Sequence, residues 1–227
     1  MSFSLSDVVE AVRFVARSDE LERIHIALRD SHHSRRAVVV HGLGGMGKTQ
    51  LAAEYAKRHR DEYSAVFWMT AKDESSLKQA YAKVARRISL DHPTVTYMKN
   101  ALESDDLDRV VQATKQWLDR AGNSHWLLIY DNYDTPAFGR KDADGPRIGL
   151  NVGEASDSYD IRPFLPDTHH GAILITTRLA RVKLGCSISL TKLREMKHSL
   201  EILADASDRE NIAEGTGRPT VASHRAV

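Results

Sequence analysis

The sequence predicts a three-layer α/β/α fold around a five-stranded parallel sheet. Three observations carry that expectation. Short apolar runs of strand length recur at residues 37–41, 64–70, 125–132, 171–178 and 186–190, and the third is apolar on both faces, as a central parallel strand must be. Segments with helical periodicity separate them, with Leu77, Ala80, Tyr81, Val84 and Ile88 on one stripe and Leu107, Val110, Val111, Thr114 and Leu118 on another. The first run passes directly through a glycine-rich loop into a helix with Leu51, Ala52, Tyr55 and Ala56 on one face.

A chain of 227 residues is long enough for one sizeable domain. Its hydrophobic share of 41% and charged share of 28% are those of a globular protein. With 32 basic and 31 acidic residues the formal charge is +1, so no global field recruits nucleic acid or an anionic membrane. No apolar stretch approaches the length of a membrane span. The single cysteine, Cys186, excludes an internal disulfide and suits a reducing, cytoplasmic setting; its place in an alternating run predicts a small buried side chain.

Taken in order, residues 1–13 are weakly patterned, with Val8, Val9 and Val12 as a possible helical face. Ser18 is read as the N-cap of a helix whose first turn holds Asp19 and Glu20 and whose apolar stripe is Leu21, Ile24 and Leu28. That helix is expected to end in the polar turn at residues 30–34. Residues 42–49, Gly-Leu-Gly-Gly-Met-Gly-Lys-Thr, then fit G-x-x-x-x-G-K-[ST] at every fixed position. Backbone N–H groups must close around a polyphosphate, and glycines at Gly42, Gly44, Gly45 and Gly47 permit the necessary backbone angles and close approach. Lys48 supplies a charge to the outer phosphates, and Thr49 offers a hydroxyl to Mg²⁺. Strand, loop and helix arrive in the order that sets phosphates at a helix N-terminus; Met46 within the loop and Gln50 just after it count among the expected nucleotide contacts.

Helices are expected at about residues 74–89 and 105–121, with a turn at His92-Pro93 between them. The strand at residues 125–132 ends on Asp131, the Walker B pattern, which places a carboxylate beside the phosphates as a Mg²⁺ ligand, directly or through water. Residues 135–160 are polar and rich in Gly and Asp, and are read as a mobile surface excursion. The strand at residues 171–178 ends on threonines and Arg178, whose guanidinium is positioned to feel a γ-phosphate. A helix is expected at residues 193–204 and a disordered tail from residue 205. His32-His33 and His169-His170 are adjacent pairs that do not match zinc-ligand spacing, so Mg²⁺ with the nucleotide is the one metal expected.

The succession Phe14-Val15-Ala16-Arg17, the glycine loop, Phe67-Trp68-Met69, Leu127-Leu128-Ile129-Tyr130-Asp131-Asn132 and Ile173-Leu174-Ile175-Thr176-Thr177-Arg178 resembles the NB-ARC family of signal-transducing P-loop NTPases, over about residues 14–204. These are the switch modules of NOD-like immune and cell-death receptors, and Asp134 after the Asp-Asn pair makes the stretch similar to fungal members. The resemblance implies that Val15 and Arg17 contact the nucleotide, although Ala16 stands where a glycine is usual. It implies that Asp131 is the Walker B acid and Arg178 the sensor of the γ-phosphate. Asn132 replaces a second acid that helps polarise water; an amide orients water but accepts no proton, so turnover is expected to be slow unless Asp134 substitutes. It also implies a strand order with the phosphate-loop strand between the last strand and the Arg178 strand, then the Walker B strand, then the Phe67 strand at the edge.

The expected function is therefore an ATP/ADP switch with slow Mg²⁺-dependent hydrolysis, self-associating in its ATP state. The alternative is a turnover enzyme such as a small-molecule or nucleotide kinase. Relatives continue into a helical subdomain, a winged helix whose histidine clamps ADP, and often repeats. None is recognisable here, so an excised piece or a short form with easier nucleotide exchange is expected.

Overall fold

The structure, a computed structural model, describes residues 2–4, 14, 17–29, 35–137 and 158–192. The expectations for Val8, Val9, Val12 and Val15, for His32-His33, for residues 138–157, and for the helix and tail beyond residue 192 lie outside the described residues. The described residues within 1–10 and 17–191 form one compact unit; of residues 11–16 and 192–227, which fall to the second unit, only Phe14 and Lys192 are described.

The five predicted strands are β2 (Ala37–His41), β3 (Ala65–Thr70), β4 (Trp126–Asp131), β5 (Ala172–Thr177) and β6 (Cys186–Ser189). They pair in parallel in the expected order, β3-β4-β5-β2-β6. A sixth strand, β1 (Ser2–Ser4), extends the edge by pairing in parallel with β3. Ser-Phe-Ser carries no strand pattern, and β1 forms because β3 presents an open row of backbone donors and acceptors.

Helices cover both faces. Successive strand residues point to opposite sides, so Val39, Phe67, Leu128, Tyr130, Ile173 and Ile175 join one core with side chains of α3 (Glu74–Asp91), α4 (Thr96–Glu103) and α5 (Leu107–Leu118). The intervening Val38, Val40, Val66, Leu127, Ile129 and Leu174 are equally buried. On their side lie α1 (Ser18–Arg29), which packs on β2 and β6, and α2 (Lys48–Arg58), which packs on β4 and β5. Ser18 enters α1 as its first residue instead of capping it, because Arg17, at φ 69°, already offers its carbonyl to the Leu21 N–H.

The helices begin where the residues dictate. Asp73 accepts from the Ser76 N–H at 2.7 Å, and Asp106 accepts from the N–H groups of Asp108 and Arg109 at 2.9 and 3.3 Å. Each carboxylate satisfies donors that have no partner inside the helix. Asp106→Ala should therefore cost about 1 kcal/mol of unfolding free energy, read as a lower urea midpoint with an unchanged slope. The short α4 lies where the sequence shows only a turn; Met98 and Ala101 are its buried residues, too few to write a stripe. Cys186, expected inside, is exposed, because the outward positions of the edge strand β6 face no further layer.

Inside the larger core the hydroxyls of Tyr81 and Tyr130 lie 2.9 Å apart and both donate toward the Phe164 carbonyl. Burial pushes both phenols up from their ordinary range. The pair ties α3 and β4 to the turn at Arg162–Phe164, which delivers the chain into β5.

Candidate nucleotide site

All of the site lies at the carboxyl end of the sheet, where open α/β sheets bind ligands. β2 ends at His41, and residues 42–47 turn the chain into α2. Gly45 and Gly47 take φ of 75° and 83°, in the left-handed region that favours glycine. Gly47 is the N-cap of α2 and provides no side-chain acceptor. No side chain caps the first turn of α2, which is the helix end that an anion would approach.

Lys48 folds back over the loop, its Nζ donating to the carbonyls of Gly42 and Leu43, each at 2.9 Å. Partial burial lowers its pKa; the carboxylates of Asp134 and Asp131 pull it back up, while Arg178 pushes it down. Across from it the Thr49 hydroxyl donates to Asp131 at 3.0 Å and 3.3 Å to the two oxygens. Cis oxygen ligands on Mg²⁺ at about 2.1 Å lie about 3.0 Å apart, so this pair has the spacing of one octahedral edge. The donor set, a hydroxyl and a carboxylate beside uncapped N–H groups, fits a Mg²⁺–nucleotide.

Thr176 is the residue that motif reading did not assign. Its hydroxyl donates to Asp131 Oδ1 at 2.5 Å and accepts from the Asn132 N–H at 2.9 Å. The parallel register sets Tyr130 beside Ile175, so the next step along brings Asp131 beside Thr176. In the sequence it is one of two threonines that end an apolar run, and its 1% exposure emerges only from the fold.

Asp131 is raised above its ordinary carboxylate range, chiefly by burial, against the lowering hydrogen bonds from Thr176 and Thr49. A folded-state pKa above the unfolded one means that the ionised form costs stability at neutral pH, a cost relieved as pH falls through the folded value. Asp131→Asn, which keeps one acceptor oxygen, should therefore melt higher than the parent in metal-free buffer at pH 7. The gap should close toward acid. The same variant should lose at least about tenfold of the Mg²⁺-dependent gain in nucleotide affinity, about 1.4 kcal/mol. A lower melting temperature in metal-free buffer would count against burial as the dominant cause.

Asn132 takes φ 69°, a conformation that asparagine enters more readily than most residues. It bends the chain so that the Tyr133 N–H reaches the Thr176 carbonyl at 2.9 Å. Asp134 is then held against Arg178: its Oδ1 accepts from the Arg178 backbone N–H at 2.7 Å and its Oδ2 lies 2.9 Å from Nε. The guanidinium passes over the loop, so that a Cβ added at Gly44 would lie 3.7 Å from the Arg178 Cζ. Arg17 reaches the loop from the other side. Its Nη2 donates to the carbonyls of Met46 at 3.1 Å and Thr191 at 2.9 Å, and its Nη1 pairs with Glu20 at 3.0 Å. Gln50 is half-buried in the first turn of α2.

Residues 13–148 match the AAA ATPase domain. The chain belongs to that family. The chain is 29% identical over 173 residues to a nucleotide-binding leucine-rich repeat (NLR)-like protein of Hyaloscypha variabilis, covering 73% of this chain and 16% of that protein. Its fold is similar to that of Cdc6p from Pyrobaculum aerophilum, with a TM-score of 0.52, 14% identity, and coverage of 90% of this chain and 52% of that one. The Aeropyrum pernix ORC2 protein, solved as ADPNP–ADP complexes, aligns with a TM-score of 0.48 and 16% identity over 89% of this chain and 55% of its own. The chain thus spans about half the length of those solved structures and a small part of the NLR-like protein. No helix among the described residues is long and apolar enough to cross a membrane.

Proposed function

We propose that this AAA ATPase domain is an ATP/ADP switch of the NB-ARC kind, in which the bound nucleotide controls self-association of a NOD-like receptor-type signalling protein. The observation that carries the reading is the Arg178–Asp134 pair above the loop. Mg²⁺–ATP would supply the phosphoanhydride and a terminal phosphate at this position. Arg178, 61% exposed in its side chain, is the donor that either stays on Asp134 or turns to that phosphate. Two states of one surface arginine give the nucleotide a differential contact, which is what a switch needs.

The chemistry of the remaining residues favours holding over turnover. Asn132 cannot accept a proton, and while Arg178 stays on Asp134 both oxygens of that carboxylate are taken, so in that state neither presents a free general base to water. Thr49 and Asp131, with Thr176 holding the carboxylate, would hold the Mg²⁺ end, and Lys48 and the loop N–H groups would hold the phosphate end. The relation to an NLR-like protein supports a signalling context.

The test is to denature freshly purified protein, identify released nucleotide by chromatography, and then weigh the particle by light scattering with ADP or a non-hydrolysable ATP analogue. Stoichiometric nucleotide and a larger particle with the ATP analogue are expected. Multiple turnovers per second with the same mass in both states would instead mark an ordinary enzyme and sink the switch.

A further inference from the structure

Away from the sheet's carboxyl end, the ends of α1 and α2 bring together three metal-ligating side chains from separate parts of the sequence. His25 lies in the last two turns of α1, His59 is the C-cap of α2, and Glu62 closes the short 3₁₀ turn at Arg60–Glu62 that follows. One ligating atom from each lies within 4.8 Å of the others. His59 Nδ1 is 2.7 Å from Glu62 Oε1, and His25 Nδ1 is 3.9 Å from the same oxygen. His25 Nδ1 is buried and has no hydrogen-bond partner. A buried imidazole nitrogen without a partner, aimed at a carboxylate already held by a second imidazole, is an arrangement that protein–protein hydrogen bonding does not complete.

We propose that His25, His59 and Glu62 form a binding site for a divalent cation of the zinc type, which fastens the end of α1 to the end of α2. Two imidazoles and one carboxylate are the donors that suit this class. Tetrahedral zinc, with bonds of about 2.0–2.1 Å, sets its ligand atoms about 3.3 Å apart. The observed 2.7 Å would open and the observed 3.9 Å would close by comparable amounts. The two rings are stacked, with centroids 4.1 Å apart and planes at 18°, so each must turn about its Cβ–Cγ bond for the lone pairs to converge. That torsion is broad and soft. Glu62, with 41% of its side chain exposed, leaves the fourth position open to water. Both helices end here, and their C-terminal carbonyls favour a cation.

One group works against the metal. Arg29 Nη1 lies 3.3 Å from His25 Nε2, and since arginine only donates, Nε2 accepts and the neutral ring carries its proton on Nδ1. Metal binding at Nδ1 requires the proton to move to Nε2 and the exposed Arg29 to withdraw. This makes Arg29 an antagonist of the site, a role that a purely structural histidine pair does not predict. The site is independent of the nucleotide reading.

The experiment uses the full chain with Mg²⁺ in excess and titrates Zn²⁺ against a chromophoric chelator. His25→Ala and Glu62→Gln should each weaken zinc binding at least tenfold, and Arg29→Ala should tighten it severalfold. The His169→Ala/His170→Ala double variant should match the parent, and zinc should raise the parent's melting temperature but not that of Glu62→Gln. Should His25→Ala fail to fold, the partly exposed Glu62 carries the test. A parent that takes up no zinc, a Glu62→Gln variant within twofold of the parent, or weakened binding in Arg29→Ala would each overturn the proposal.

Discussion

Lys48→Ala is expected to yield a folded protein that binds ATP at least about a hundredfold more weakly, a loss of about 2.7 kcal/mol. Two effects combine. The ammonium is folded over the loop alongside the Arg178 guanidinium, and its partly buried setting makes each charge interaction stronger than in bulk water. It also braces the loop, because both carbonyls it holds, those of Gly42 and Leu43, precede the residues that would surround the phosphates. Alanine at the first position of α2 is a good helix former, so circular dichroism should not change. Calorimetric titration with Mg²⁺–ATP checks the prediction, and an affinity within threefold of the parent would exclude the loop as the phosphate site.

Trp126→Ala should produce the largest loss of stability, about 3–5 kcal/mol. The ring is 1% exposed at the start of β4, and its Nε1 donates to the Leu118 carbonyl at 3.0 Å. Removing it leaves a large void and takes the indole donor from the Leu118 carbonyl, which keeps His170 Nε2 at 3.2 Å, against a typical stability of about 5–15 kcal/mol for a whole domain. Gly171 fixes why the ring cannot shift. It takes φ 84°, and a Cβ there would stand 2.4 Å from the indole. Gly171→Ala should therefore also destabilise, by backbone strain and by collision. In the Trp126→Ala background the collision disappears, so the double variant should lose less than the sum of the two single variants. Urea unfolding of the four proteins measures this coupling; strict additivity would mean that the ring and the glycine do not meet.

What could be read in the sequence was whatever is written locally. The phosphate loop occupies eight consecutive positions, and the helices α2, α3 and α5 write their buried faces as stripes, so their existence and type were legible. The sheet order came from resemblance, since alternation alone does not say which parallel strand lies beside which. Three features were out of reach for physical reasons. β1 is held by backbone pairing to β3 and needs no pattern of its own. Thr176 acquires its meaning from the register that sets it beside Asp131, 45 residues away. The pairing of Asp134 with Arg178 is hidden in the same way, since it depends on the left-handed turn at Asn132.

The single nitrogen of Arg17 that bridges two carbonyls also makes a mechanical linkage. Met46 belongs to the loop, and Thr191 is the last residue of the compact unit. A planar, rigid guanidinium tolerates little change in the distance between the groups it grips. With Glu20 pinning its other nitrogen to α1, Arg17 acts as a strut: when the loop tightens, the Met46 carbonyl cannot move without loading the exit of β6. A conformational signal starting at the loop would thus have a short, stiff route to the point where the chain leaves the sheet.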